Sequence, residues 1–334
     1  MSQGRITVIG DGGWGTALAL LLEGRGHAVR LWGAFPEYID EMRFRRENRK
    51  FLPGIPLPMS VELCADLSAA VEGVEVLVAA VPTVYLRDVL GRLAECYPSR
   101  TPVVSVAKGI ETDTLLRPTQ IIADVLGRRV PLVALSGPSH AEEVARGLPT
   151  TVTAASRNLA RARRIQGLFM TDRFRVYAHS DIVGVELGGA MKNVIAIAAG
   201  ICDGLELGDN AKAALLTRGL AEMTRLGMAL GARRYTFAGL AGVGDLVTTC
   251  MSPYGRNRAV GVQIGQGRTL EDILAGMEQV AEGVRTAQSV RALARRAGVE
   301  VPITEQVHRI LFAGKDPRRA VSDLMARAAK DETV

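Results

Sequence analysis

One lysine of this chain stands in surroundings that are unusual for a charged side chain. Lys192 lies in segment 187–201, where every other residue except Asn193 is apolar or glycine. Such a segment predicts a helix that is at least partly buried, and a lysine is almost never buried unless it is paired or functional. Burial lowers the pKa of an ammonium group toward neutrality, which suits a general acid or base. The alternative is a lysine that lays its stem along apolar surface and keeps its charge in water.

Two more charged residues are candidates for the same chemistry. Lys108 follows the strand-like segment 102–106, and ligands of open α/β sheets bind at the carboxyl ends of strands. A lysine at that edge can contact a phosphate or the reacting oxygen, although a loop lysine in solvent fits the sequence equally well. Asp245 lies in the glycine-rich segment 238–247 and is a candidate partner for Lys192.

Two short polar segments are candidates for contacts to an anionic substrate. Ser252-Pro-Tyr-Gly-Arg-Asn-Arg258 precedes a helix-like run, and backbone amides at a helix start together with a guanidinium bind phosphate. Leu135-Ser-Gly-Pro-Ser-His-Ala141 follows a strand, and Ser139 offers a hydroxyl at the same edge of the sheet. Taken alone, the first pattern is weak and the second is merely a turn.

A glycine-rich turn near the amino terminus predicts a dinucleotide site. Gly10-Asp-Gly-Gly-Trp-Gly15 fits the pattern G-x-G-x-x-G, which is weak alone but here follows a strand-like segment and opens a helix-like one. Gly10 permits the tight turn, Gly12 lets a pyrophosphate approach the backbone, and Gly15 allows close packing of helix on strand. The amides at the helix start then face the phosphates. A purely structural glycine turn is the alternative.

The residues around this turn do not decide between NAD and NADP. Asp11 places a carboxylate in a loop that faces a pyrophosphate, which is unfavourable unless the side chain turns outward. The usual discriminator is an acid ~20 residues on for NAD or an arginine for NADP, and the end of the second strand, Trp32-Gly-Ala-Phe-Pro36, has neither. Glu37 is a candidate for the ribose, and the candidates for a 2′-phosphate are Arg43, Arg45 and Arg46.

The segments that carry these residues belong to two kinds of structure. Short β-branched runs alternate with amphipathic stretches up to about residue 180, and the predicted strands are 6–9, 28–32, 74–80, 102–106, 131–135 and 150–154. This alternation predicts βαβ units and a doubly wound, Rossmann-type parallel sheet. From residue 181 on, runs rich in Ala, Leu and Met predict helices alone. We therefore expect an α/β dinucleotide-binding domain at 1–180 and an all-helical substrate and catalytic domain at 181–334.

Composition and charge narrow the class of protein. The 334 residues are 48% hydrophobic, 23% charged and only 4% aromatic, and the net charge is +6. A basic surface attracts anionic partners, but scarce aromatics and scattered basic residues argue against nucleic acid. The dispersed cysteines and histidines predict neither a metal site nor a disulfide framework. No export signal and no apolar run of ~20 residues is visible, so we expect a soluble cytoplasmic protein without a membrane span.

Taken together and in order, these segments resemble the bacterial NAD(P)-dependent glycerol-3-phosphate dehydrogenase family. The resemblance covers nearly the whole chain, and the combination is far more specific than any single motif. It implies an oxidoreductase that transfers hydride between NAD(P)H and dihydroxyacetone phosphate to give sn-glycerol 3-phosphate, reversibly, for glycerophospholipid synthesis. The segments that carry it are 10–17, 48–58, 108–111, 136–143, 186–199, 239–245 and 255–257.

The resemblance also implies roles for individual residues. Lys192 matches the catalytic lysine that protonates the ketone oxygen, Asp245 a polar partner in the active site, and Lys108 a residue that touches both cofactor and substrate. The other implied substrate contacts are Gly137, Ser139, Gly255, Arg256 and Asn257, of which the last three form a phosphate loop. The implied cofactor contacts are Gly10, Gly12, Gly13, Trp14, Gly15, Lys108, Ala141, Arg256, Val280 and Glu282.

Three departures from the family pattern concern binding rather than chemistry. The family often has serine where this chain has Gly13 and Gly255, so two hydroxyl contacts are missing. Many members have an arginine at the position of Ala34 that would bind a 2′-phosphate, and its absence favours NAD or dual use. None of these departures touches Lys192 or Asp245.

Two rival interpretations stay open at this point. A β-hydroxyacid or 6-phosphogluconate dehydrogenase shares the lysine-on-helix arrangement, but it would have a carboxylate site in place of the 255–257 phosphate loop. A redox-sensing module that holds NAD(H) without turnover, on nucleic acid for example, predicts that Lys192→Ala leaves function intact and that binding falls steeply with salt. Cofactor preference, physiological direction and feedback control are not given by the sequence, and a homodimer is expected only by analogy.

Overall fold

The computed structural model describes residues 4–329 and 331–332. Within it the chain divides into two compact units. The first combines residues up to Ala107 with Pro118–Ile182, and the second combines Lys108–Arg117 with the residues from Val183 on. The sequence predicts a boundary near residue 180 with 108–117 in the amino-terminal domain, whereas the contacts of this segment group it with the second unit.

An eight-stranded sheet forms the centre of the first unit. Its strands lie in the order β3-β2-β1-β4-β5-β6-β7-β8, and every neighbouring pair is parallel except β6 and β7. The reversal of strand order at β1 confirms the predicted doubly wound, Rossmann-type fold, although the sheet is not parallel throughout. The strands are β1 Arg5–Ile9, β2 Val29–Trp32, β3 Val61–Cys64, β4 Val74–Ala79, β5 Val103–Ser105, β6 Leu132–Ser136, β7 Thr150–Ala155 and β8 Phe174–His179.

The sequence analysis identified six of these strands and missed the two at the edges of the sheet. In β3 the exposed Glu62 interrupts the apolar run, and in β8 Arg175 and Tyr177 are exposed on one face. A central strand of such a sheet is buried on both faces and reads as a continuous apolar run. An edge strand has fewer neighbours, so that signal is absent from β3 and β8.

The helices of the first unit connect these strands and cover the sheet. Buried aliphatic side chains such as Val8, Leu31 and Val78 form its core together with apolar residues of the helices. Polar caps fix several helix starts, as where the Asp66 carboxylate accepts a hydrogen bond from the Ala69 amide. The helices are α1 Gly13–Gly24, α2 Pro36–Arg45, α3 Leu67–Val71, α4 Thr83–Ala94, α5 Pro118–Leu126, α6 Ala141–Ala145 and α7 Leu159–Phe169.

Helices are the regular elements that the structure describes in the second unit, and no strand lies among its described residues, as predicted. Between α10 and α11 a π-helical turn spans Leu240–Gly244, and such turns are frequent at functional sites. The helices are α8 Ile182–Gly204, α9 Gly208–Ala229, α10 Arg234–Phe237, α11 Asp245–Met251, α12 Arg256–Gly265, α13 Leu270–Ala275, α14 Glu282–Ala297, α15 Pro302–Ala313 and α16 Pro317–Met325.

Helix α8 is the central helix of this unit. It is long and apolar enough to cross a membrane, but 94% of its most apolar window is buried inside the protein. A Cβ atom built on Gly200 would lie 2.0 Å from the Arg258 carbonyl oxygen, and one built on Gly261 would lie 2.0 Å from the Ile197 carbonyl oxygen. Helices α8 and α12 therefore touch backbone to backbone, and α8 is a core helix of the second unit.

Candidate active site

Three charged side chains that the sequence singled out meet in the second unit. Lys192 projects from α8, Asp245 is the first residue of α11, and Lys108 lies in the segment after β5. The Lys192 ammonium lies 2.5 Å from Asp245 Oδ1, and the Lys108 ammonium lies 2.9 Å from Asp245 Oδ2. One carboxylate thus binds two ammonium groups, one on each oxygen.

Two neutral residues complete this cluster, and the sequence analysis assigned neither of them a role. Thr249 lies one helical turn after Asp245 on α11, and its Oγ1 accepts a hydrogen bond from Lys192 Nζ at 2.6 Å. Asn193 donates from Nδ2 to the Lys108 carbonyl at 2.9 Å. The spacing of four residues from Asp245 to Thr249 places both on one face of a helix, and this is the signal that could have identified Thr249.

Close backbone packing brings α11 to α8 at this level. A Cβ atom on Gly188, one turn before Lys192, would lie 2.3 Å from the Ala241 carbonyl oxygen in the π-helical turn. The glycine therefore lets this turn approach α8, and α11 begins directly after it with Asp245. Glycine is required here by space rather than by backbone conformation.

Other contacts fix the segment that carries Lys108. Arg117 at its end forms a buried ion pair with Glu186 of α8. Ser289 of α14 donates from Oγ to the Ile110 carbonyl at 3.0 Å. Together with the hydrogen bond from Asn193, these interactions hold the backbone of the segment that carries Lys108. The Lys108 ammonium therefore reaches Asp245 from a backbone of fixed position.

Burial and the neighbouring charges have opposing effects on the pKa values of Lys192 and Asp245. Lys192 is 6% exposed and Asp245 is 1% exposed. Burial, opposed by Asp245 and aided by the Lys108 charge, lowers the pKa of Lys192 to about 8. Burial alone would raise the pKa of Asp245, but the Lys108 and Lys192 ammonium groups outweigh it and lower that pKa. The cluster therefore holds an ionised carboxylate beside a lysine that can gain or lose a proton near neutral pH.

A second polar feature lies at the start of α12. Gly255 caps this helix without a side-chain hydrogen bond, and Arg256 is exposed in its first turn. In the described part of the chain, no ion pair or side-chain hydrogen bond holds the Arg256 guanidinium. Free amides at a helix start beside an unpaired guanidinium form an anion site.

This helix start is connected to the lysine cluster and to α14. A Cβ atom on Gly255 would lie 2.9 Å from the Thr249 carbonyl oxygen, so a serine here would crowd the backbone of α11. The Asn257 side chain is buried, and its Oδ1 accepts a hydrogen bond from the Gly283 amide at 2.9 Å. Glu282 directly precedes Gly283 and begins α14, and Val280 lies two residues before Glu282. Asn257 therefore links the α12 start to these two predicted cofactor contacts.

In the first unit, the glycine turn has the shape that a dinucleotide needs. Gly10 has a φ of +116°, which is accessible to glycine alone without strain, and a Cβ on Gly15 would lie 1.9 Å from the Gly10 carbonyl oxygen. Beside Gly12 a Cβ would meet no atom within 4 Å, so the backbone there is open to a ligand. The buried Trp14 Nε1 has no hydrogen-bond partner among the described residues. The turn therefore fits a pyrophosphate at the start of α1.

The 48–58 loop packs against this turn. The buried Asn48 donates from Nδ2 to the Asp11 carbonyl and to Thr16 Oγ1, both at 2.7 Å. The Phe51 carbonyl oxygen would lie 2.5 Å from a Cβ on Gly13, and that Cβ would lie 3.6 Å from Ala141 Cβ. A side chain at position 13 would therefore crowd the Phe51 carbonyl unless this loop shifted, and Ala141 lies near the predicted cofactor contact at Gly13.

Polar groups also line the ends of the strands that follow. Gly137 comes directly after β6 with a φ of +143°, and its carbonyl accepts a hydrogen bond from Ser139 Oγ at 2.9 Å. The Ser105 and Ser136 hydroxyls, at the last residues of β5 and β6, are buried with no hydrogen-bond partner in the described part of the chain. Unpartnered polar atoms at the carboxyl edge of such a sheet fit a polar ligand there.

The arginines considered for a 2′-phosphate are all engaged with protein groups. Arg43 donates to the Leu63 carbonyl and to Asp40, and Arg45 pairs with Glu41. Arg46 donates to carbonyl oxygens of the 57–61 segment, and burial lowers its pKa. The structure therefore provides none of the three as a free guanidinium for a 2′-phosphate.

Two family models match the chain and together span most of it. The model described as NAD-dependent glycerol-3-phosphate dehydrogenase N-terminus matches residues 5–162, and the corresponding C-terminus model matches residues 181–322. The curated glycerol-3-phosphate dehydrogenase (NAD(P)+) of Citrifermentans bemidjiense is 54% identical over 332 residues, which cover 99% of this chain and 99% of that protein. Its counterpart from Geobacillus kaustophilus is 53% identical, covering 98% of this chain and 96% of that protein.

A solved structure shows the same similarity in three dimensions. The crystal structure of glycerol-3-phosphate dehydrogenase from Coxiella burnetii has a TM-score of 0.94 and 41% sequence identity, and the match covers 98% of this chain and 100% of that one. The structure of the Saccharomyces cerevisiae enzyme of the same name has a TM-score of 0.82 at 28% identity, covering 97% and 100% of the two chains.

Proposed function

We infer that this chain, which belongs to the glycerol-3-phosphate dehydrogenase family, reduces dihydroxyacetone phosphate to sn-glycerol 3-phosphate and catalyses the reverse oxidation, with NAD or NADP as the cofactor. It is an oxidoreductase, and its product is a precursor of glycerophospholipids. The observation that carries this function is the buried cluster in which Asp245 binds both Lys192 and Lys108. A charged cluster of this kind costs stability, and a role in proton transfer accounts for its presence.

Lys192 is the proposed acid and base. Reduction of the ketone adds a hydride to carbon and a proton to oxygen, and bound NAD(P)H supplies the hydride. The Lys192 ammonium donates the proton to the ketone oxygen, and the neutral amine takes it back in the oxidation. A lysine pKa of about 8 makes both protonation states accessible near physiological pH.

Asp245 and Lys108 assist this proton transfer. Asp245 holds the Lys192 ammonium in place through its Oδ1, and Thr249 accepts a second hydrogen bond from the same group. The Lys108 ammonium adds positive charge where negative charge develops on the substrate oxygen. Lys108 is also the proposed contact to both cofactor and substrate.

The start of α12 is the proposed site of the substrate phosphate. Gly255 and Asn257 contribute backbone and side-chain groups, and the exposed Arg256 contributes a guanidinium. A phosphate does not take part in the reaction, so the energy of binding it is available to orient the ketone. Gly137 and Ser139 are the further substrate contacts that we propose.

The glycine turn of the first unit is the proposed cofactor site. Its residues hold the pyrophosphate through backbone amides at the α1 start. The proposed contacts are Gly10, Gly12, Gly13, Trp14 and Gly15, with Ala141, Lys108, Arg256, Val280 and Glu282.

We place the enzyme in the cytoplasm and propose that it forms a homodimer. The cytoplasm is where a reduced nicotinamide pool and a dihydroxyacetone phosphate supply would be available to such an enzyme. The dimer rests on analogy with helical substrate domains of similar dehydrogenases. Light scattering coupled to size-exclusion chromatography measures the mass directly, and a monomeric mass over the working concentration range would contradict the dimer.

The test of the function is a spectrophotometric assay at 340 nm with dihydroxyacetone phosphate, run in parallel with NADH and NADPH. We expect turnover by the wild type and a fall in kcat of about 10²- to 10⁴-fold for Lys192→Ala, because the proton donor is lost. Lys315→Ala is the matched control, since this lysine of the same unit pairs with Asp323 instead. No turnover with either cofactor would contradict the substrate, and full activity of Lys192→Ala would contradict the proton donor.

A further inference from the structure

A buried carboxylate oxygen of Asp11 lies beside the glycine turn. Asp11 follows Gly10, and its Oδ2 is buried with no hydrogen-bond partner among the described residues. The backbone of this residue is well held, because the Asp11 carbonyl accepts hydrogen bonds from Asn48 Nδ2 at 2.7 Å and Thr16 Oγ1 at 3.3 Å. A buried carboxylate oxygen that lacks a donor costs free energy. A ligand that supplies a donor at this place would remove that cost.

The Asp11 carboxylate fills the space that Gly33 leaves at the end of β2. A Cβ atom on Gly33 would lie 2.5 Å from Asp11 Oδ2 and 2.7 Å from Asp11 Cγ. In dinucleotide folds the acid that binds the adenosine ribose stands at the end of the second strand. In this chain the residue that follows the second strand is Gly33, and the carboxylate beside it comes from the turn after the first strand.

We propose that Asp11 accepts hydrogen bonds from the ribose hydroxyls of the adenosine half of the cofactor and thereby selects NAD(H) over NADP(H). This inference rests on the proposed function, because it takes dinucleotide binding at the glycine turn as its premise. The ribose of NAD(H) offers hydroxyl donors to a carboxylate. The 2′-phosphate of NADP(H) brings a like charge to the same place and removes the 2′ donor.

The arginines considered above leave no free guanidinium for a 2′-phosphate beside Asp11. Burial raises the pKa of Asp11, while its own amide and the nearby Lys50 ammonium act in the opposite direction. Lys50 also lies over the Phe51 ring, 5.2 Å from its centre. Arg43, Arg45 and Arg46 are engaged elsewhere, so of these four cations Lys50 alone remains for a 2′-phosphate. The preference for a ribose with free hydroxyls rests on the Asp11 oxygen that lacks a donor among the described residues and on the engagement of these arginines.

Equilibrium binding tests the proposal independently of turnover. Dissociation constants for NADH and NADPH are measured by nicotinamide fluorescence titration for the wild type, Asp11→Asn and Glu37→Gln. Asp11→Asn keeps the shape of the side chain and removes its charge, and Glu37→Gln makes the same change at an exposed acid in the first turn of α2. We expect the wild type to bind NADH at least about tenfold more tightly than NADPH. Asp11→Asn should weaken the binding of NADH about tenfold and strengthen the binding of NADPH severalfold. Glu37→Gln should change neither dissociation constant.

The other outcomes each overturn a defined part of this account. Equal wild-type affinity for the two cofactors, or an unchanged ratio in Asp11→Asn, contradicts the role of Asp11. A shifted ratio in Glu37→Gln alone assigns the ribose to Glu37 instead. Binding of neither dinucleotide by the wild type contradicts the proposed function as well, whereas selective binding without reduction of dihydroxyacetone phosphate contradicts the proposed function alone. Thermal melts of the variants, with and without ADP-ribose, separate a lost contact from a lost fold.

Discussion

At the scale of single residues, the groups around the Lys192 ammonium have opposing effects on its pKa. Burial and the Lys108 charge favour its neutral form, and Asp245 favours its charged form. A lysine that was only buried would lose its proton too readily to act as an acid, and one paired in water would hold it too tightly to act as a base. The combination suits the role that we propose for Lys192, as proton donor in the reduction and proton acceptor in the oxidation.

The pH dependence of the two directions should therefore be opposite. In the proposed mechanism the reduction of dihydroxyacetone phosphate requires the Lys192 ammonium. Its kcat should therefore be constant below pH 8 and fall toward tenfold per pH unit above it, given the lysine pKa of about 8. Oxidation of sn-glycerol 3-phosphate requires the neutral amine, so its kcat should rise with pH through the same midpoint. Both are measured at saturating cofactor from pH 6 to 10. A reduction rate that rises above pH 8 would exclude Lys192 as the proton donor.

Replacing Asp245 should move this midpoint. Asp245→Asn removes the negative charge that raises the pKa of Lys192 and leaves the Lys108 charge that lowers it. We expect the reduction midpoint to move to lower pH, and kcat at pH 7 to fall at least about tenfold. Thr249→Val is the control, because it removes a neutral acceptor from the same ammonium and should lower the rate with a smaller change of midpoint. An unchanged midpoint in Asp245→Asn would show that the carboxylate does not tune Lys192.

Residue type alone predicts the charged members of the active-site cluster, but it does not predict which neutral residues contact them. Lys192 was conspicuous because a lysine inside an apolar helix needs a reason, and Asp245 because it follows a run of glycines. Thr249 is ordinary by residue type, and only its spacing of four residues from Asp245 points to it. The direction of the Asp11 side chain depends on the space beside Gly33, which is a property of two strands together.

At the scale of elements, buried strands were predictable and edge strands were not. The apolar runs of β1, β4 and β6 follow from burial on both faces of the sheet. The antiparallel pairing of β6 with β7 cannot be predicted from the residues of either strand. It depends on which edge of the sheet is free when β7 is added. The grouping of Lys108–Arg117 with the second unit likewise has no local signal, since its contacts come from residues far along the chain.

The seam between α8 and α12 depends on four glycines that face one another. Gly200 and Gly204 of α8 lie against α12, and Gly261 and Gly265 of α12 lie against α8. A Cβ atom built on any of the four glycines would lie 2.0 to 2.8 Å from a carbonyl oxygen of the other helix. The two backbones therefore leave no room for side chains between them. Glycine lowers helix stability by about 0.5–1 kcal/mol per residue, and here close packing of the helix that carries Lys192 offsets that cost.

Gly200→Ala should therefore destabilise the protein, although alanine is the better helix former. We expect the free energy of unfolding to fall by about 1–3 kcal/mol, because the added methyl group would have to push α12 away from α8. Gly91→Ala in α4 is the matched control, since a Cβ there meets no atom within 4 Å. That change should be neutral or stabilise by about 0.5–1 kcal/mol. Urea denaturation measures both, and equal effects of the two changes would contradict the tight seam.

At the scale of the whole molecule, the net charge of +6 fits ligands that are all anionic. Dihydroxyacetone phosphate and the cofactor both carry phosphate, and a positive protein raises the rate at which such ligands arrive. The basic side chains are spread over both units rather than gathered into a stripe, and few aromatics accompany them. This distribution suits attraction of small phosphates better than binding along a nucleic-acid strand.

The electrostatic attraction between the whole protein and its anionic substrate should be measurable in the salt dependence of kcat/KM for the reduction. Raising the ionic strength from about 0.01 M to 0.1 M shortens the screening length from about 30 Å to 10 Å, so kcat/KM for dihydroxyacetone phosphate should fall severalfold while kcat stays constant. Reversing the exposed Arg318 and Arg319 to glutamate removes two charges at each position and lowers the net charge from +6 to +2. This variant should show a shallower salt dependence with the same kcat. Arg256→Gln, by contrast, should raise KM at every ionic strength because it removes a direct contact. If the double reversal left the salt dependence unchanged, the attraction would come from the local phosphate site alone.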